Sequence, residues 1–452
     1  MIPNIDTTIY RRPAELLSNL IRFNTTNPPG NEGECIHYIA QLLTAAGIET
    51  HVLAKDPNRP NLVARLQGRK RSDSPLLIYG HVDVVAADPG KWVHPPFSGD
   101  IADGFVWGRG ALDMKGGIAM MVGSFLKAKI EESPLNEDIL LCLLSDEEEM
   151  GEFGSDFMVS HHADYFNGVK YALSEFGGFT LYIGNKTFYP IEILQKQKCI
   201  IKAVLRGPTG HGSNFMRGGA VATLSQMLDQ LDKNLLPVHV TPVVDAMFRT
   251  MSENLPFPNG AIMRLLTKPR ATDFVLNLLG KKGHAFIPMF HNIVNATIIR
   301  GGEKINIIPG EIEVHFDVRI LPGLSPDDVI DELRSIIGEE VRLEVLHYDH
   351  GQSEPDMGLF EMLAGIIRES DPEGIPVPFM LTGCSDARFF SRLGIQTYGF
   401  MPMQLPQAMN FNHLIHSADE RIPVDTLTFG MNALGEAMKR YTGIPPTKGA
   451  AK

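Results

Sequence analysis

The sequence predicts an α/β protein, with a mixed sheet flanked by helices in one domain and a smaller α+β domain inserted into it. Short apolar runs of strand length alternate with longer segments in which apolar residues recur at helical spacing. Two of these runs, 76–80 and 139–145, are apolar on both faces, as in strands that are covered on both sides. Near residue 195 an alternating strand and a Gly/Pro-rich turn open a different segment. Ligands of such a sheet are expected at the carboxyl ends of its strands.

Composition limits the classes of function. The chain has 452 residues, of which 44% are hydrophobic and 21% charged, so it can bury ample core and is long enough for more than one domain. A net charge of -12 argues against nucleic acid as a partner.

Cysteine usage and hydropathy favour a cytoplasmic protein without a membrane partner. The four cysteines contain no CxxC pair, which argues against both a disulfide framework and a cysteine-zinc site: Cys35, Cys142, Cys199 and Cys384. No basic segment followed by an apolar core opens the sequence, and no apolar run approaches the ~20 residues of a membrane span.

The first elements surround a loop rich in turn-forming residues. Apolar spacing predicts helices over 13–22 and 34–46, and the second of these ends at Gly47, a suitable C-terminal cap. Residues 24–33, NTTNPPGNEG, are predicted to form a loop between them. Short strands are expected over 49–53 and 61–66.

His81 and Asp83 follow the strand at 76–80. Their spacing of two places both side chains on one side of extended backbone. A neutral imidazole is a good metal ligand, and a nearby carboxylate can accept its other ring N–H and so fix the tautomer. For an isolated HxD motif, a core histidine paired with an acid is the more common interpretation.

Asp113 lies between a glycine-rich stretch, WGRG, and a segment of helical apolar spacing that begins near Lys115. An acid in this position is also what an ordinary helix N-cap looks like. Taken alone, Asp113 is therefore interpreted as a cap.

The strand at 139–145 ends in four consecutive acids, Asp146 to Glu149. Adjacent carboxylates repel one another, and at the end of a buried strand this repulsion is costly unless cations neutralise it. An N-cap does not explain such a run.

These motifs resemble a known family. The sequences GHVDVV, GRGALDMKGG and DEEEMGEFGS occur in the order typical of the two-zinc aminoacylase and carboxypeptidase G family, which includes acetylornithine deacetylase, succinyl-diaminopimelate desuccinylase and carnosinase. The resemblance implies a catalytic domain of zinc-peptidase type with two Zn²⁺ per chain, or alternatively Co²⁺ or Mn²⁺. It implies that His81 binds one ion, that Asp113 bridges both and that Asp83 orients His81.

The resemblance extends to the remaining metal ligands. Glu175, at the end of the strand in YALSEFGG, is implied as the terminal acidic ligand of the second zinc. His416, which is followed four residues later by a glutamate, matches the last ligand. If Asp146 is the leading Asp of the family, Glu147 is the general base and Glu148 a ligand; the register that uses Glu148 and Glu149 stays open.

A second set of motifs, GPTGHGS, GGEKINIIPG and DVRILPG, resembles the lid domain of the family. The implied division is a catalytic domain over 1–195 and 347–452 with a lid and dimerisation domain, 196–346, inserted into it. Residues 306–323 are expected to contain a strand pair, and the family implies a homodimer that forms through the lid.

Four residues of the lid and return segments are candidates for substrate contacts. His211 could donate a hydrogen bond to a developing oxyanion, and Arg319 could bind a carboxylate in bidentate fashion, helped by Asn306 and Gly383. The alternatives are a turn histidine, a turn asparagine, and an ion pair of Arg319 with a neighbouring acid, Asp317 or Glu313.

The function implied is a zinc-dependent hydrolase that cleaves the amide bond of an N-acyl amino acid or a short peptide with a free carboxylate. The segment around GPTGHGSNF looks more similar to the peptidase and aminoacylase branches than to the desuccinylase branch. The alternatives are a catalytically silent binding or regulatory protein on the same scaffold, and an aminopeptidase or dipeptidase that requires a free amine.

Overall fold

The computed structural model describes residues 5–69 and 74–442. Within this part of the chain the strands, in chain order, are β1 Glu49–Ala54, β2 Pro60–Leu66, β3 Leu76–His81, β4 Ile101–Ala102, β5 Phe105–Trp107, β6 Ile139–Leu144, β7 Tyr171–Ser174, β8 Leu181–Ile183, β9 Lys186–Gln195, β10 Gln197–Arg206, β11 Gly210–His211, β12 Ile293–Gly301, β13 Ile307–Ile308, β14 Glu311–Ile320, β15 Arg342–Tyr348, β16 Gly374–Leu381, β17 Gln396–Gly399 and β18 Arg421–Pro423.

The α-helices are α1 Pro13–Ile21, α2 Gly33–Ala45, α3 Lys115–Ile130, α4 Ser155–His161, α5 Ala220–Lys233, α6 Pro242–Asn254, α7 Asn259–Leu266, α8 Pro269–Leu278, α9 Lys281–His284, α10 Ile287–Phe290, α11 Pro326–Ile337, α12 Phe360–Ser370, α13 Ala387–Phe390, α14 Phe411–Leu414 and α15 Val424–Arg440. Short 3-10 helices cover Thr7–Arg11, Pro89–Lys91, Ala163–Phe166 and Ser391–Leu393.

The chain divides into two units. Unit 1 comprises the described residues up to Ile193, Asp356–Phe379, and those from Ser385 onward. Unit 2 comprises Leu194–Pro355 and Met380–Cys384.

A nine-stranded mixed sheet forms the centre of unit 1. Its order is β1-β2-β6-β3-β7-β17-β9-β16, and β8 pairs with β9. The four neighbours β6, β3, β7 and β17 are parallel, whereas β2 and β9 join them antiparallel. The carboxyl ends of the four parallel strands therefore lie along one edge of the sheet. The predicted α/β class, a mixed sheet flanked by helices, is confirmed.

Side chains of the central strands alternate between two buried layers. Leu76 and Ile78 of β3 pack into a core with residues of α1, α2, α3 and α15. Leu77 and Tyr79, which point the other way, pack with residues of α4 and α13. Burial of both faces explains why the sequence of β3 and β6 is apolar throughout rather than alternating.

Unit 2 contains a four-stranded antiparallel sheet of order β12-β14-β10-β15. In β14 buried positions alternate with more exposed ones, as expected for a sheet covered on one face. Val329 and Leu333 of α11 and Met227 of α5 pack against the buried face. Strands β11 and β13 form a separate two-stranded ribbon.

Most of the expected elements are present, and one expectation was wrong. The helices predicted over 13–22 and 34–46 correspond to α1 and α2. The strand pair expected within 306–323 does not form, because β13 pairs with β11 whereas β14 pairs with β10 and β12. Both sequence segments are strands, but Pro309 and Gly310 separate them and they join different sheets.

Within the described residues, none of the helices combines the length and the apolar character needed to cross a lipid bilayer.

Candidate metal centre

Three neighbouring parallel strands deliver polar side chains to one edge of the sheet in unit 1. Strand β3 ends at His81, which lies opposite Leu144, the last residue of β6. Strand β7 ends at Ser174, so Glu175 follows directly. The register therefore brings His81, the acid run after β6 and Glu175 to the same edge.

Asp113 lies between two imidazoles rather than capping a helix. The N-cap of α3 is Met114, which makes no side-chain capping bond. Asp113 Oδ1 lies 3.2 Å from His81 Nε2, and Oδ2 lies 3.2 Å from His416 Nε2. The interpretation of Asp113 as an ordinary N-cap is therefore wrong.

Two groups of side chains share Asp113, and each could hold a metal ion. In each group, one ligand atom from every residue lies within 4.8 Å of the others. The first group is His81, Asp113 and Glu175, all buried, and the second is Asp113, Glu148 and the exposed His416.

The tautomer of His81 is set by Asp83. Nδ1 of His81 lies 3.0 Å from the backbone carbonyl of Asp83 and 3.4 Å from its Oδ1, and both of these groups are acceptors only. Nδ1 therefore carries a proton, and Nε2 is the ring atom that remains to bind a metal ion. Nε2 lies 3.2 Å from an oxygen of Asp113 and 3.2 Å from an oxygen of Glu175, an arrangement that suits a cation between them.

The acid run turns sharply after β6. Asp146 has a left-handed backbone with φ 71°, and the amides of Glu147 and Glu148 donate to the carboxylate of Asp83 at 3.2 and 3.1 Å. Glu147 Oε2 lies 3.9 Å from His81 Nε2, Glu148 belongs to the second group, and Glu149 is exposed. The turn thus directs two of the four acids toward the imidazoles.

Three carboxylates of the cluster are difficult to ionise together. Burial raises the pKa of Glu147 well above its usual range, and the nearby Glu175 adds to the effect. Burial likewise raises the pKa of Glu148, with Asp113 as the next cause, and raises the pKa of Glu175 to about 7. Several acids that are difficult to ionise together at neutral pH are the environment that a bound cation stabilises.

The two histidines respond in the opposite sense. Hydrogen bonds with Asp113 and Glu148 raise the pKa of His416 to about 10. Burial opposes the charge on His81, but the carboxylates of Glu175, Asp113 and Asp83 outweigh it and raise its pKa well above the usual range. For Asp113, hydrogen bonds with both histidines outweigh the effect of burial and lower its pKa.

The donor set fits divalent transition metals. Oε1 of Glu148 is buried and has no hydrogen-bond partner within the described part of the chain. Because a buried carboxylate oxygen is normally satisfied, an electron-pair acceptor is missing at this position. Imidazole nitrogens with carboxylate oxygens are ligands that suit zinc, and also cobalt and manganese.

Two of the predicted substrate contacts lie together in unit 2. Gly210 and His211 of β11 pair with Ile308 and Ile307 of β13, and the amide of Gly212 donates to the carbonyl of Asn306 at 2.8 Å. His211 and Asn306 are both exposed. The ring of His211 is partnered locally, with Nδ1 2.8 Å from the hydroxyl of Ser213.

Arg319 forms the ion pair that was the alternative to a substrate contact. Its Nε and Nη2 donate to the two carboxylate oxygens of Asp317 at 2.8 and 3.0 Å. Gly383 lies in the short segment Met380–Cys384 of the same unit and is partly exposed.

Glu420 holds the loop that carries Asp113. One of its carboxylate oxygens accepts from Arg109 at 2.6 Å and from the amide of Gly110 at 3.1 Å. The other accepts from the amides of Leu112 and Asp113 at 2.7 and 3.1 Å. The glutamate four residues after His416 therefore positions a loop, and its spacing was the only signal for it in the sequence.

Other supporting residues were not assigned from the sequence. Asn27 and Arg59 contact Asp146 from the loop after α1 and from the residue before β2. Asp386 is buried, accepts a hydrogen bond from Ser155, and has its pKa raised by burial to about 6. The turn-rich sequence NTTNPPG was a sign that this loop is constrained, but it did not show what the loop contacts.

Two residue groups that could each hold a metal ion, with the carboxylate of Glu147 beside them, are the arrangement expected of a metal-dependent hydrolase. The family model described as peptidase family M20/M25/M40 matches residues 77–440, and the chain belongs to this family. The resemblance found in the three motifs is thereby confirmed, and the protein is a metallohydrolase that acts on amide or peptide bonds.

Relatives span most of the chain. Succinyl-diaminopimelate desuccinylase of Paracoccus denitrificans (strain Pd 1222) is 38% identical over 444 residues, which cover 95% of this chain and 98% of the relative. Aminoacylase-1 of Homo sapiens is 22% identical over 437 residues, 95% of each chain. The sequence around His211 had favoured the peptidase and aminoacylase branches. The 38% identity to a desuccinylase does not support that preference.

The fold is shared with solved structures. The M20 family metallo-carboxypeptidase Sso-CP2 from Sulfolobus solfataricus superposes with a TM-score of 0.65 at 17% identity, covering 95% of this chain and 99% of that one.

Proposed function

We propose that the protein is a zinc-dependent hydrolase that cleaves the amide bond of an N-acyl amino acid or a short peptide with a free carboxylate. The observation that carries this proposal is the pair of ligand groups that share Asp113, with the carboxylate of Glu147 beside them. His81, Asp113 and Glu175 would hold one ion, and Asp113, Glu148 and His416 the other.

Bound zinc would supply Lewis acidity for the amide carbonyl and would lower the pKa of a bound water toward ~7. The protein would supply the proton transfers. Glu147 is the proposed general base, because its carboxylate belongs to neither ligand group yet lies at the same edge of the sheet. It would take the proton of the attacking water and pass it to the leaving amine.

Asp83 is the proposed positioning residue for both steps. It contacts Nδ1 of His81 and accepts the amides of Glu147 and Glu148, so it links a ligand to the base. Since Asp83 is fully buried, its carboxylate contacts these partners and Asn27 and not solvent.

Substrate contacts are proposed for unit 2. His211 would donate a hydrogen bond to the carbonyl oxygen that becomes negative, and Arg319 would bind the substrate carboxylate with Asn306 and Gly383. The exposure of His211 and Asn306 supports this role, and Asp317 holds the guanidinium plane of Arg319 in one orientation.

We further propose that unit 2 is the lid and dimerisation domain predicted for 196–346, inserted into a catalytic domain over 1–195 and 347–452. Strand β12 lies at the edge of its sheet and exposes Ile298 and Ile299. An exposed apolar edge strand is a suitable surface for pairing with a second chain. Light scattering should give the mass of a dimer, and I299K should shift it to a monomer.

A cytoplasmic location is proposed on the four free cysteines, which are typical of a reducing compartment.

Metal analysis combined with a substrate panel tests the activity. We expect about two zinc ions per chain, as counted by the two ligand groups, and hydrolysis of N-acetyl and N-succinyl amino acids. Dipeptides should be compared with their N-acetylated forms under zinc, cobalt and manganese. Hydrolysis of free-amine dipeptides alone would replace this proposal by an aminopeptidase, and a metal content below one ion per chain would overturn it.

A further inference from the structure

The conformation of the acid run depends on a single buried carboxylate. Asp146 Oδ1 accepts from Asn27 Nδ2 at 3.0 Å and lies 3.0 Å from Arg59 Nη2. Its Oδ2 accepts from the amide of Phe153 at 3.1 Å, and its carbonyl accepts from the amide of Gly151 at 2.8 Å. Three hydrogen bonds and one ion pair thus hold one residue at the point where the chain turns.

This turn requires external support. A left-handed backbone is disfavoured for a residue with a Cβ atom and persists only where its surroundings hold it, and Asp146 has φ 71°. The next two residues, Glu147 and Glu148, are the proposed base and ligand. A rotation at Asp146 would therefore turn both side chains away from the imidazoles.

Asn27 connects this turn to the metal centre. Its side-chain amide donates to Asp146 at 3.0 Å and to Asp83 Oδ2 at 2.9 Å. Asp83 in turn accepts the amides of Glu147 and Glu148. The hydrogen bonds form a closed ring, so the side chain of Asp146 and the backbone of the next two residues are fixed relative to each other.

Arg59 is itself held by several contacts. Its Nε and Nη2 donate to Glu32 at 3.2 and 2.8 Å, and its guanidinium lies 4.8 Å from the ring centre of Phe153. Gly30, with φ +80°, makes room for it, since a Cβ there would lie 2.2 Å from Arg59 Nε. Arg59 and Glu32 are both buried, and the Nη2 atom of Arg59 that donates to Glu32 also lies 3.0 Å from Asp146 Oδ1.

We propose that Asn27, Arg59 and Asp146 form a positioning clamp that holds the turn so that Glu147 and Glu148 face the metal centre. The clamp rests on the proposed function, and none of its three residues belongs to a ligand group. They act through other residues and are positioning residues, not catalytic ones. Because Glu148 belongs only to the second group, release of the clamp should weaken that group more than the buried first group.

The first variant is Asp146→Asn. Asparagine tolerates the left-handed backbone and keeps the size of the side chain. Its NH₂ group, however, must replace one of the two carboxylate oxygens and so face a hydrogen-bond donor. Titration of metal-free protein with Zn²⁺ by calorimetry should show the first ion bound as in the wild type and the second bound about 10- to 100-fold more weakly. We expect kcat to fall by a similar factor while KM changes little.

Asp138→Asn is the matched control. Asp138 lies just before β6, and Asp146 lies just after it. Asp138 accepts a hydrogen bond from the amide of Gly68 at 2.8 Å and forms an ion pair with Arg65 at 3.5 Å. This variant should bind both ions as the wild type does. Equal zinc titrations of the two variants, or equal weakening of both ions in Asp146→Asn, would overturn the clamp.

Three further variants remain informative if Asp146→Asn does not fold. Asn27→Ala breaks the ring of hydrogen bonds at one point. Arg59→Lys keeps the positive charge but loses the planar guanidinium, whereas Arg59→Met loses both. We expect second-ion affinity to fall in Asn27→Ala, and to fall less in Arg59→Lys than in Arg59→Met. Wild-type affinity in Asn27→Ala would overturn the clamp.

The clamp and the proposed function can fail separately. If wild-type protein binds less than one zinc ion per chain, the proposed function fails, whereas retained turnover in Glu147→Gln would reassign only the general base. If the wild type binds two ions and Glu147→Gln is inactive, but Asp146→Asn matches Asp138→Asn, only the clamp fails.

Discussion

In unit 1 the imidazole of His81 faces two carboxylate oxygens and the buried Oε1 of Glu148 has no hydrogen-bond partner among the described residues, whereas in unit 2 His211 and Arg319 are each paired with a side chain two residues away. A bound cation would satisfy the first region. The second is complete as it stands. Buried polar atoms without a hydrogen-bond partner are structural evidence for a missing ligand. For side chains that already have partners, such as those of His211 and Arg319, the support for a functional role comes from the sequence motif.

The largest effect is expected from the base in unit 1. Glu147→Gln removes the proton acceptor but leaves both ligand groups intact, so kcat should fall about 10²- to 10⁴-fold with unchanged zinc content. Steady-state kinetics and metal analysis of the same preparation measure both quantities. Glu149→Gln, at the exposed neighbouring acid, is the control and should keep wild-type turnover. Retained activity in Glu147→Gln would move the base to another register.

Metal removal tests whether the cluster is incomplete without a cation. At a free-metal concentration about 1,000 times Kd, binding stabilises the folded protein by roughly 4 kcal/mol, so chelation should lower Tm by several degrees. Scanning calorimetry with and without chelator measures the difference. An unchanged Tm would show that the acids of unit 1, like His211 and Arg319 of unit 2, need no bound cation for stability.

The pH dependence of this difference has a definite sign. In metal-free protein the raised pKa of Glu175, about 7, means that the folded state binds more protons than the unfolded state between about pH 4.5 and 7, so stability falls as pH rises through that window. The raised pKa of His416, about 10, extends the loss above pH 6.5. Metal binding strengthens with pH because the ligands must be deprotonated. The Tm gap should therefore widen from pH 5 to pH 8.

A smaller effect is expected from Arg319 in unit 2. Arg319→Lys keeps the charge but loses the planar fork, so KM for a substrate with a free carboxylate should rise about 10- to 100-fold with a smaller change in kcat. The same substrate with its carboxylate amidated should show no such difference between the variant and the wild type. Equal KM values for the free-carboxylate substrate would leave Arg319 as a structural partner of Asp317.

The smallest effect concerns Lys196, a buried cation of unit 2 that donates to the carbonyl of His291 at 2.5 Å. Burial lowers its pKa to about 7, so between about pH 7 and 10.5 the unfolded state binds more protons and stability rises with pH. Lys196→Met should remove that rise, at most on the order of 1 kcal/mol per pH unit.

Urea unfolding at pH 7 and 9 measures the slope for Lys196→Met. Lys202→Met, at a partly exposed position of β10 that pairs with Glu344 at 3.2 Å, is the control and should keep the wild-type slope. An unchanged slope in Lys196→Met would show that the pKa of Lys196 is not lowered in the folded protein.

Local sequence pattern was sufficient for the strands that build the site. β3 and β6 are apolar throughout because both of their faces are covered, and parallel neighbours place the residues that follow them at one edge. The position of Asn27 against Asp146, 119 residues away, could not be predicted in this way. It depends on how a loop folds against a turn, and neither segment has a periodic pattern that specifies the other.

For Arg319 the sequence left two interpretations open, and the substrate contact stays a prediction beside the observed ion pair. A strand places residues 317 and 319 on the same face, so an ion pair and a substrate contact were both compatible with the motif. The structure shows the ion pair. The four-acid run was ambiguous for a different reason, since its register depends on the left-handed turn at Asp146, which consecutive acids do not specify.

The position of His416 in the chain has a consequence for biosynthesis. His81, Asp113 and Glu175 all belong to the first 175 residues, whereas the second group needs a ligand from position 416. At about 5–20 residues per second, a ribosome reaches residue 416 roughly ten to fifty seconds after residue 175. A nascent chain therefore lacks the second group throughout this interval, and the two-ion centre can form only after residue 416 has been synthesised.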